Sequence, residues 1–219
     1  MEIVFGYPKT IPKRRNKMKF RTALVLITCL LLVSLVSAQE GKSLTQNEKD
    51  LKIVGFKQSI NSCPGGLIFG VYSINYERMI KPKHGLVARF DFEDISVKYS
   101  GDKFEATGLG FILNYRRHFS PSLKSFYVGS YARYRIYDGT GEDGADEFDF
   151  DITEFTIGLN AGKRWVWSSG FNINFMLGYG IAFTETDVED TYEEAYDKFT
   201  EKYSFEGPML GEFSIGYAF

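Results

Sequence analysis

The chain has 219 residues with 26 Lys and Arg, 28 Asp and Glu, two His and two Cys, for a net charge of −2. Without a basic stripe or a Cys series it excludes a nucleic-acid-binding surface and a disulfide framework. Its 20 Phe, 14 Tyr, 22 Gly and mean hydropathy of −0.19 suit a soluble domain, and equally a transmembrane β-barrel, where half of every strand is polar.

Residues 1–38 read as a secretory signal peptide. Lys17, Lys19 and Arg21 precede the apolar stretch Ala23 to Val36, and Val36-Ser37-Ala38 supplies small residues for cleavage after Ala38. Met18 looks like the natural start, which makes residues 1–17 a start-site artefact; Cys29 matches a lipid-attachment cysteine only weakly. Removing the seven Lys/Arg and one Glu of this segment leaves 19 basic and 27 acidic residues, a net of −8. Cys63 then stands alone and no intramolecular disulfide is expected. Residues 39–50 are polar and are expected to be a flexible lead-in to a single domain over 51–219.

From Leu51 onward, runs of alternating apolar and polar residues are separated by turn residues, and no long stretch has a helical period. Run one is Leu51 to Ile60. Run two, Leu67 to Arg78, sets Tyr72, Ile74 and Tyr76 against Ser73, Asn75 and Glu77. Run three has Leu86, Ala88, Phe90 and Phe92 against Arg89, Asp91 and Glu93; its phase then flips to Ile95, Val97 and Tyr99. That flip predicts a bulge near Asp94 or an exit from the apolar layer. Run four, Phe104 to Phe119, opposes Leu109, Phe111 and Leu113 to Gly108, Gly110 and Arg116. Run five, Phe126 to Tyr137, opposes Val128, Ala132 and Tyr134 to Tyr127, Tyr131, Arg133 and Arg135. A glycine-rich acidic loop is expected over 138–151. Run six, Ile152 to Trp167, carries Glu154 and Arg164 on its polar side. Run seven, Phe171 to Phe183, is the cleanest, and a second acidic loop over 185–207 leads to run eight, Leu210 to Phe219.

Three features turn the apolar face outward, toward lipid. Connections alternate between short and long. Aromatics gather at the ends of the apolar faces: Tyr76, Tyr115, Phe119, Trp165 and Trp167 beside the short turns, and Tyr134, Tyr137 and Phe183 beside the long loops. The polar face is rich in glycine and carries balanced charge: Arg89, Arg116, Arg133, Arg135 and Arg164 against Glu77, Asp91, Glu93, Glu154 and Glu212. These ten are expected to form a lumen charge network, because charges taken out of water need partners. Arg117 and Lys163 fall on the lipid-facing side, but beside short turns, where long side chains reach the headgroups. The expected fold is all-β: an eight-stranded antiparallel up-and-down transmembrane β-barrel. The alternative, a soluble periplasmic calyx binding an apolar ligand, puts Phe175 and Leu177 inside.

Together the signal peptide, eight alternating strands, alternating loop lengths and terminal aromatic resemble the small outer-membrane barrels of the OmpA/OmpX type. The stretch Gly211 to Phe219 is similar to the signal read by the barrel-assembly machinery of Gram-negative outer membranes. The resemblance implies an outer-membrane location and Phe213, Ile215, Tyr217 and Phe219 as the assembly signal. It also implies outer-membrane lipid, lipopolysaccharide and the assembly machinery as partners of a monomer.

Catalytic chemistry finds little support. His84 and His118 map to the short-turn side without a Ser or Asp constellation, which leaves a membrane-embedded acyl-transfer enzyme as a third reading. No metal-ligand spacing occurs, and no cofactor is expected. Acidic residues crowd both long loops, Glu142, Asp143, Asp146, Glu147, Asp149 and Asp151 in one, Asp187, Glu189, Asp190, Glu193, Glu194 and Asp197 in the other. Divalent cations could bind there, but mutually repelling, solvated loops are the expectation. Eight strands leave an interior just wide enough for side chains, so the lumen is expected to be closed.

Overall fold

A computed structural model describes residues 45–99, 102–143, 146–193, 196 and 208–219. The expected signal peptide, Cys29, the lead-in as far as residue 44, and Glu194 and Asp197 of the second acidic loop lie outside these residues.

The described part begins with a helix, α1 (Gln46–Gly55), where a lead-in and a first strand were expected. Its start is a capping box. The Thr45 hydroxyl accepts from the Glu48 backbone N–H, and the Glu48 carboxylate accepts from the Thr45 backbone N–H at 2.8 Å. The Thr45 backbone N–H and the Thr45 hydroxyl, which both donate to it, hold the Glu48 carboxyl below the usual carboxylate range. The apolar face is too sparse to announce a helix: Ile53 is buried and Leu51 exposed, and half-buried Phe56 follows just beyond the C-terminus. Ile53 packs with Met79, Val166 and Ala218 at the short-turn ends of strands and with Leu123 in the β4–β5 turn, so the helix docks on that mouth of the sheet. Ile53→Ala is expected to cost about 2 kcal/mol, near the low end for a large-to-small change at a partly collapsible site. Amide exchange should accelerate across 46–55 and stay unchanged in the strands.

Eight antiparallel strands follow: β1 (Gln58–Ser62), β2 (Val71–Lys81), β3 (His84–Tyr99), β4 (Asp102–His118), β5 (Phe126–Asp143), β6 (Asp146–Val166), β7 (Phe171–Val188) and β8 (Met209–Ala218). Each pairs with its neighbours in chain order, and β8 pairs with β1, so the sheet closes as an up-and-down barrel. The seam is short. β1 matches β8 only from Ser59↔Ala218 to Ser62↔Ile215, and Phe219 extends it by exchanging backbone hydrogen bonds with Gln58. A 3-10 helix, Pro64–Phe69, then takes the place of strand between β8 and β2 and exposes Ile68 and Phe69 at 84% and 74%.

The two faces are inside out relative to a water-soluble protein. Phe90, Phe111, Leu113, Ile157, Phe175, Leu177 and Phe213 are exposed on the outer wall, whereas Glu77, Arg116, Glu154 and Arg164 are wholly buried within. A calyx would hold Phe175 and Leu177 inside; both point out. One aromatic departs from the expected girdle. Tyr137 shares the parity of Arg135, is buried at the long-loop end, and donates to Glu93 at 2.7 Å.

Strands β4, β5 and β6 run for 17, 18 and 21 residues. About 9 to 11 tilted residues suffice to cross a membrane, so these three are longer than a crossing would need. Most of the acidic loop expected over 138–151 is therefore sheet: Asp138↔Asp151 to Asp143↔Asp146 remain in register. In this extension the pattern inverts. Phe104, Ala106, Phe148, Phe150 and Ile152, on the same parity as the lumen charges, form an apolar core with Tyr137 and Tyr196. Glu142, Glu147, Asp149 and Asp151 face outward to solvent. This accounts for the phase flip in run three. The β3–β4 register passes Asp94↔Thr107 without a bulge, and half-buried Ile95 joins the inner apolar core beyond the end of β2. The register irregularity lies instead between Met79 and Lys81.

Candidate functional site

All ten lumen residues named from the sequence are buried, and the structure sorts them into three groups by height. Nearest the short-turn end, Arg116 bridges Glu77 (Nη1 to Oε2, 2.7 Å) and Glu212 (Nη2 to Oε2, 2.9 Å), while Arg164 approaches the same Glu77 oxygen at 2.8 Å. In mid-wall, Arg89 pairs with Asp91 at 2.7 Å. Toward the long-loop end, Arg133 and Arg135 share Glu154 at 3.0 and 2.6 Å, and Arg135 lies 3.9 Å from Glu93. Each group contains as many carboxylates as guanidinium groups. Separate neutrality matters because an uncompensated charge in a low-dielectric interior costs several kcal/mol.

Glu77 is the hub. Besides the two guanidinium groups it meets His118, whose Nε2 lies 2.8 Å from Glu77 Oε1, and His118 is completely buried. His118 and Arg116 both pack on the Tyr127 ring, with centroid distances of 5.4 and 4.5 Å. Such crowding requires a gap in the adjacent strand. A Cβ at Gly85 would lie 2.5 Å from the Glu77 carboxylate, so only glycine leaves it room. On the facing wall a Cβ at Gly162 would stand 2.6 Å from the Tyr127 hydroxyl, which donates to Asn174 at 2.8 Å. Glu212 accepts from Asn75, Asn174 and Ser214. Only the charged members of the polar face were named from the sequence; Asn75, His118, Asn174 and Ser214 share their parity, which is the signal that marks them as members of the same network.

A second role of the arginines follows from the short seam. Beyond Ile215 the β8 backbone has no β1 partner. Two lumen arginines reach it instead: Arg89 donates to the Gly211 carbonyl (3.1 Å) and Arg133 to the Met209 carbonyl (3.0 Å). Burying an unsatisfied carbonyl is costly, so these bonds replace the missing strand ladder. Toward the two ends of this charged interior lie the α1 cluster and the apolar core of the extension.

The remaining candidates are dispersed. His84 sits at the short-turn rim between Tyr115 (2.5 Å) and Arg117, on the outer wall and away from His118. Cys63 is buried and forms no disulfide among the described residues. Among the described residues no three His, Cys, Asp or Glu side chains converge as metal ligands. Of the terminal residues, Phe213 and Phe219 are exposed, and Ile215 and Tyr217 are half-buried on the same outer face.

The sequence model of a family described as "Protein of unknown function (DUF3575)" matches residues 29–219. No curated protein matches the chain. Similar solved structures include the crystal structure of Acinetobacter baumannii CarO, at 16% identity and a TM-score of 0.40, spanning 75% of this chain and 96% of that one. The crystal structure of Acinetobacter baumannii CarO2 matches at 14% identity and a TM-score of 0.43, spanning 75% and 98%.

Proposed function

The chain belongs to the DUF3575 family, and from its own residues we propose that it is an integral outer-membrane barrel with a closed lumen, serving a structural or surface-interaction role through its acidic external extension. The observation that carries this reading is a continuous apolar outer wall around a lumen of separately neutral ion-pair groups. An exposed apolar surface of that extent would aggregate in water, since large exposed patches mark contact with membrane or partners. Inside hydrocarbon every backbone polar group must be paired, which a closed barrel achieves without edges.

In this reading the short turns are periplasmic and the extension is external. Likeness to the OmpA/OmpX type is one of architecture, and Phe213 to Phe219 serve as the signal for the assembly machinery. Helix α1 at one mouth and the apolar core at the other support a non-conducting interior, and no catalytic role is assigned. The outward carboxylates of the extension repel one another directly: Asp138↔Asp151 and Asp151↔Asp187 are cross-strand pairs of like charge. A surface that tolerates such repulsion is solvated and faces cationic groups, or cations bridging to lipopolysaccharide.

Fractionation tests the location. The protein should sediment with outer membranes, require detergent for extraction, and migrate differently on gels before and after boiling. Planar-bilayer recording should show no steady conductance. Recovery in the soluble periplasm without detergent would overturn the reading.

A further inference from the structure

The outer wall is not uniformly filled. Across β4, β5 and β6 the outward rows read Leu113↔Ala132↔Ile157 and, one row nearer the short turns, Tyr115↔Ser130↔Leu159. Small residues on β5 lie between tall ones on both sides, and the result is an apolar groove of about 900 Å³. Leu159 stands beside it at 71% exposure.

The next row toward the short turns is Arg117↔Val128↔Ala161, followed by Phe126↔Lys163. Two cations thus lie on the short-turn side of the groove, in the rows that follow its lining. Two strand spacings and two residues place the Arg117 and Lys163 Cα atoms about 12 Å apart, near enough for both long side chains to converge on one phosphate. Neither is neutralised: among the described residues no carboxylate pairs with either. Arg117 meets His84, and the Lys163 ammonium lies over the Phe126 and Trp165 rings at 4.3 and 4.9 Å. Aromatic faces hold an ammonium at the interface without satisfying its hydrogen-bond donors.

We propose that this groove is a binding site for one anionic glycerophospholipid of the surrounding leaflet, its phosphate held between Arg117 and Lys163 and one acyl chain lying over Ser130 and Ala132. The site rests on the membrane-barrel reading, because in water the groove would have no acyl chain to take. Charge complementarity selects the occupant. A second copy of this chain would bring the same two cations against themselves, whereas a phosphodiester supplies the missing negative charge. Ser130 sits about 7 Å above the Arg117 row, two residues along the strand, the level of the glycerol esters in a lipid anchored by its phosphate. Its hydroxyl, otherwise misplaced on a lipid-facing wall, gains an ester carbonyl to which it donates.

Native mass spectrometry of the full protein in detergent micelles, titrated with phosphatidylglycerol or phosphatidylethanolamine, tests the site. Wild type should retain one phosphatidylglycerol per chain, at least fivefold in preference to phosphatidylethanolamine. Arg117→Ala with Lys163→Ala should lower retention at least fivefold, and Ser130→Leu with Ala132→Leu, which fills the groove while leaving the cations, should lower it similarly. Arg78→Ala, an outward cation of β2 at the same rim, should leave retention unchanged. Equal retention of the two lipids, an unaffected cation or groove variant, or an equal loss in Arg78→Ala would overturn the proposal. Unboiled gel mobility on the same samples verifies folding of each variant. It also separates the two claims: a wild type without heat-shifted mobility refutes the membrane barrel, whereas a heat-shifted wild type without selective retention refutes only the lipid site.

Discussion

Glu77→Gln is expected to destabilise the folded protein by about 3–5 kcal/mol, the cost of breaking a buried ion pair by removing one partner. The substitution changes shape little, so the loss reports charge. Glu77 is wholly buried and receives Arg116 at 2.7 Å, Arg164 at 2.8 Å and His118 at 2.8 Å. Without its charge the group nearest the short turns keeps two guanidinium groups and only Glu212. Arg116 retains Glu212 at 2.9 Å, whereas Arg164 loses the carboxylate it approaches and keeps Ser59. Equilibrium urea unfolding of protein reconstituted in phospholipid vesicles measures the change. Adding Arg164→Met should cost less than the sum of the single changes, with a coupling of roughly 1–3 kcal/mol, because the second substitution removes the charge that the first left unpaired. A loss below 1 kcal/mol for Glu77→Gln would mean that bulk water reaches the hub.

Arginine placed on the outer wall should have opposite effects at two heights. Phe111 lies in mid-belt, exposed, between Phe90 and Tyr134 on the neighbouring strands. Phe111→Arg should cost about 2–4 kcal/mol, the range for a cation near the bilayer midplane. Asp151 lies on the same outer face but on the extension, between Asp138 and Asp187. Asp151→Arg should stabilise by a few tenths to about 1 kcal/mol, since two like-charge contacts become attractive. The same unfolding assay reads both. A neutral Phe111→Arg would place that row in water and remove the basis for a membrane belt. A destabilising Asp151→Arg would show that the carboxylates are held together by something that neutralises them.

Most of the barrel was legible because a strand's side chains alternate, so one glance at parity assigns each residue to a face. That rule found the ten lumen charges and the outward terminal residues, and it marked the break in run three. It failed where the periodic signal was weak. Helix α1 buries Ile53 but leaves Leu51 exposed, and its stop just before β1 leaves only five residues for the first strand. Parity also does not distinguish heights. Phe148 and Glu154 share a face, yet one belongs to the apolar core of the extension and the other to an ion-pair group.

The sequence by itself determined the number and order of alternating runs, the polar face and its balanced charge, since these follow from residue type at a period of two. Tertiary structure alone decided the rest: which charges share a neutral group, that lumen arginines substitute for the missing part of the β1–β8 ladder, and that small β5 residues leave a groove beside two cations with no carboxylate partner among the described residues. The physical reason is register. Glu77 and Arg164, or Ser130 and Leu159, become neighbours only when strands distant in sequence are closed and set in height against one another. The spacing along a single strand carries no record of that offset.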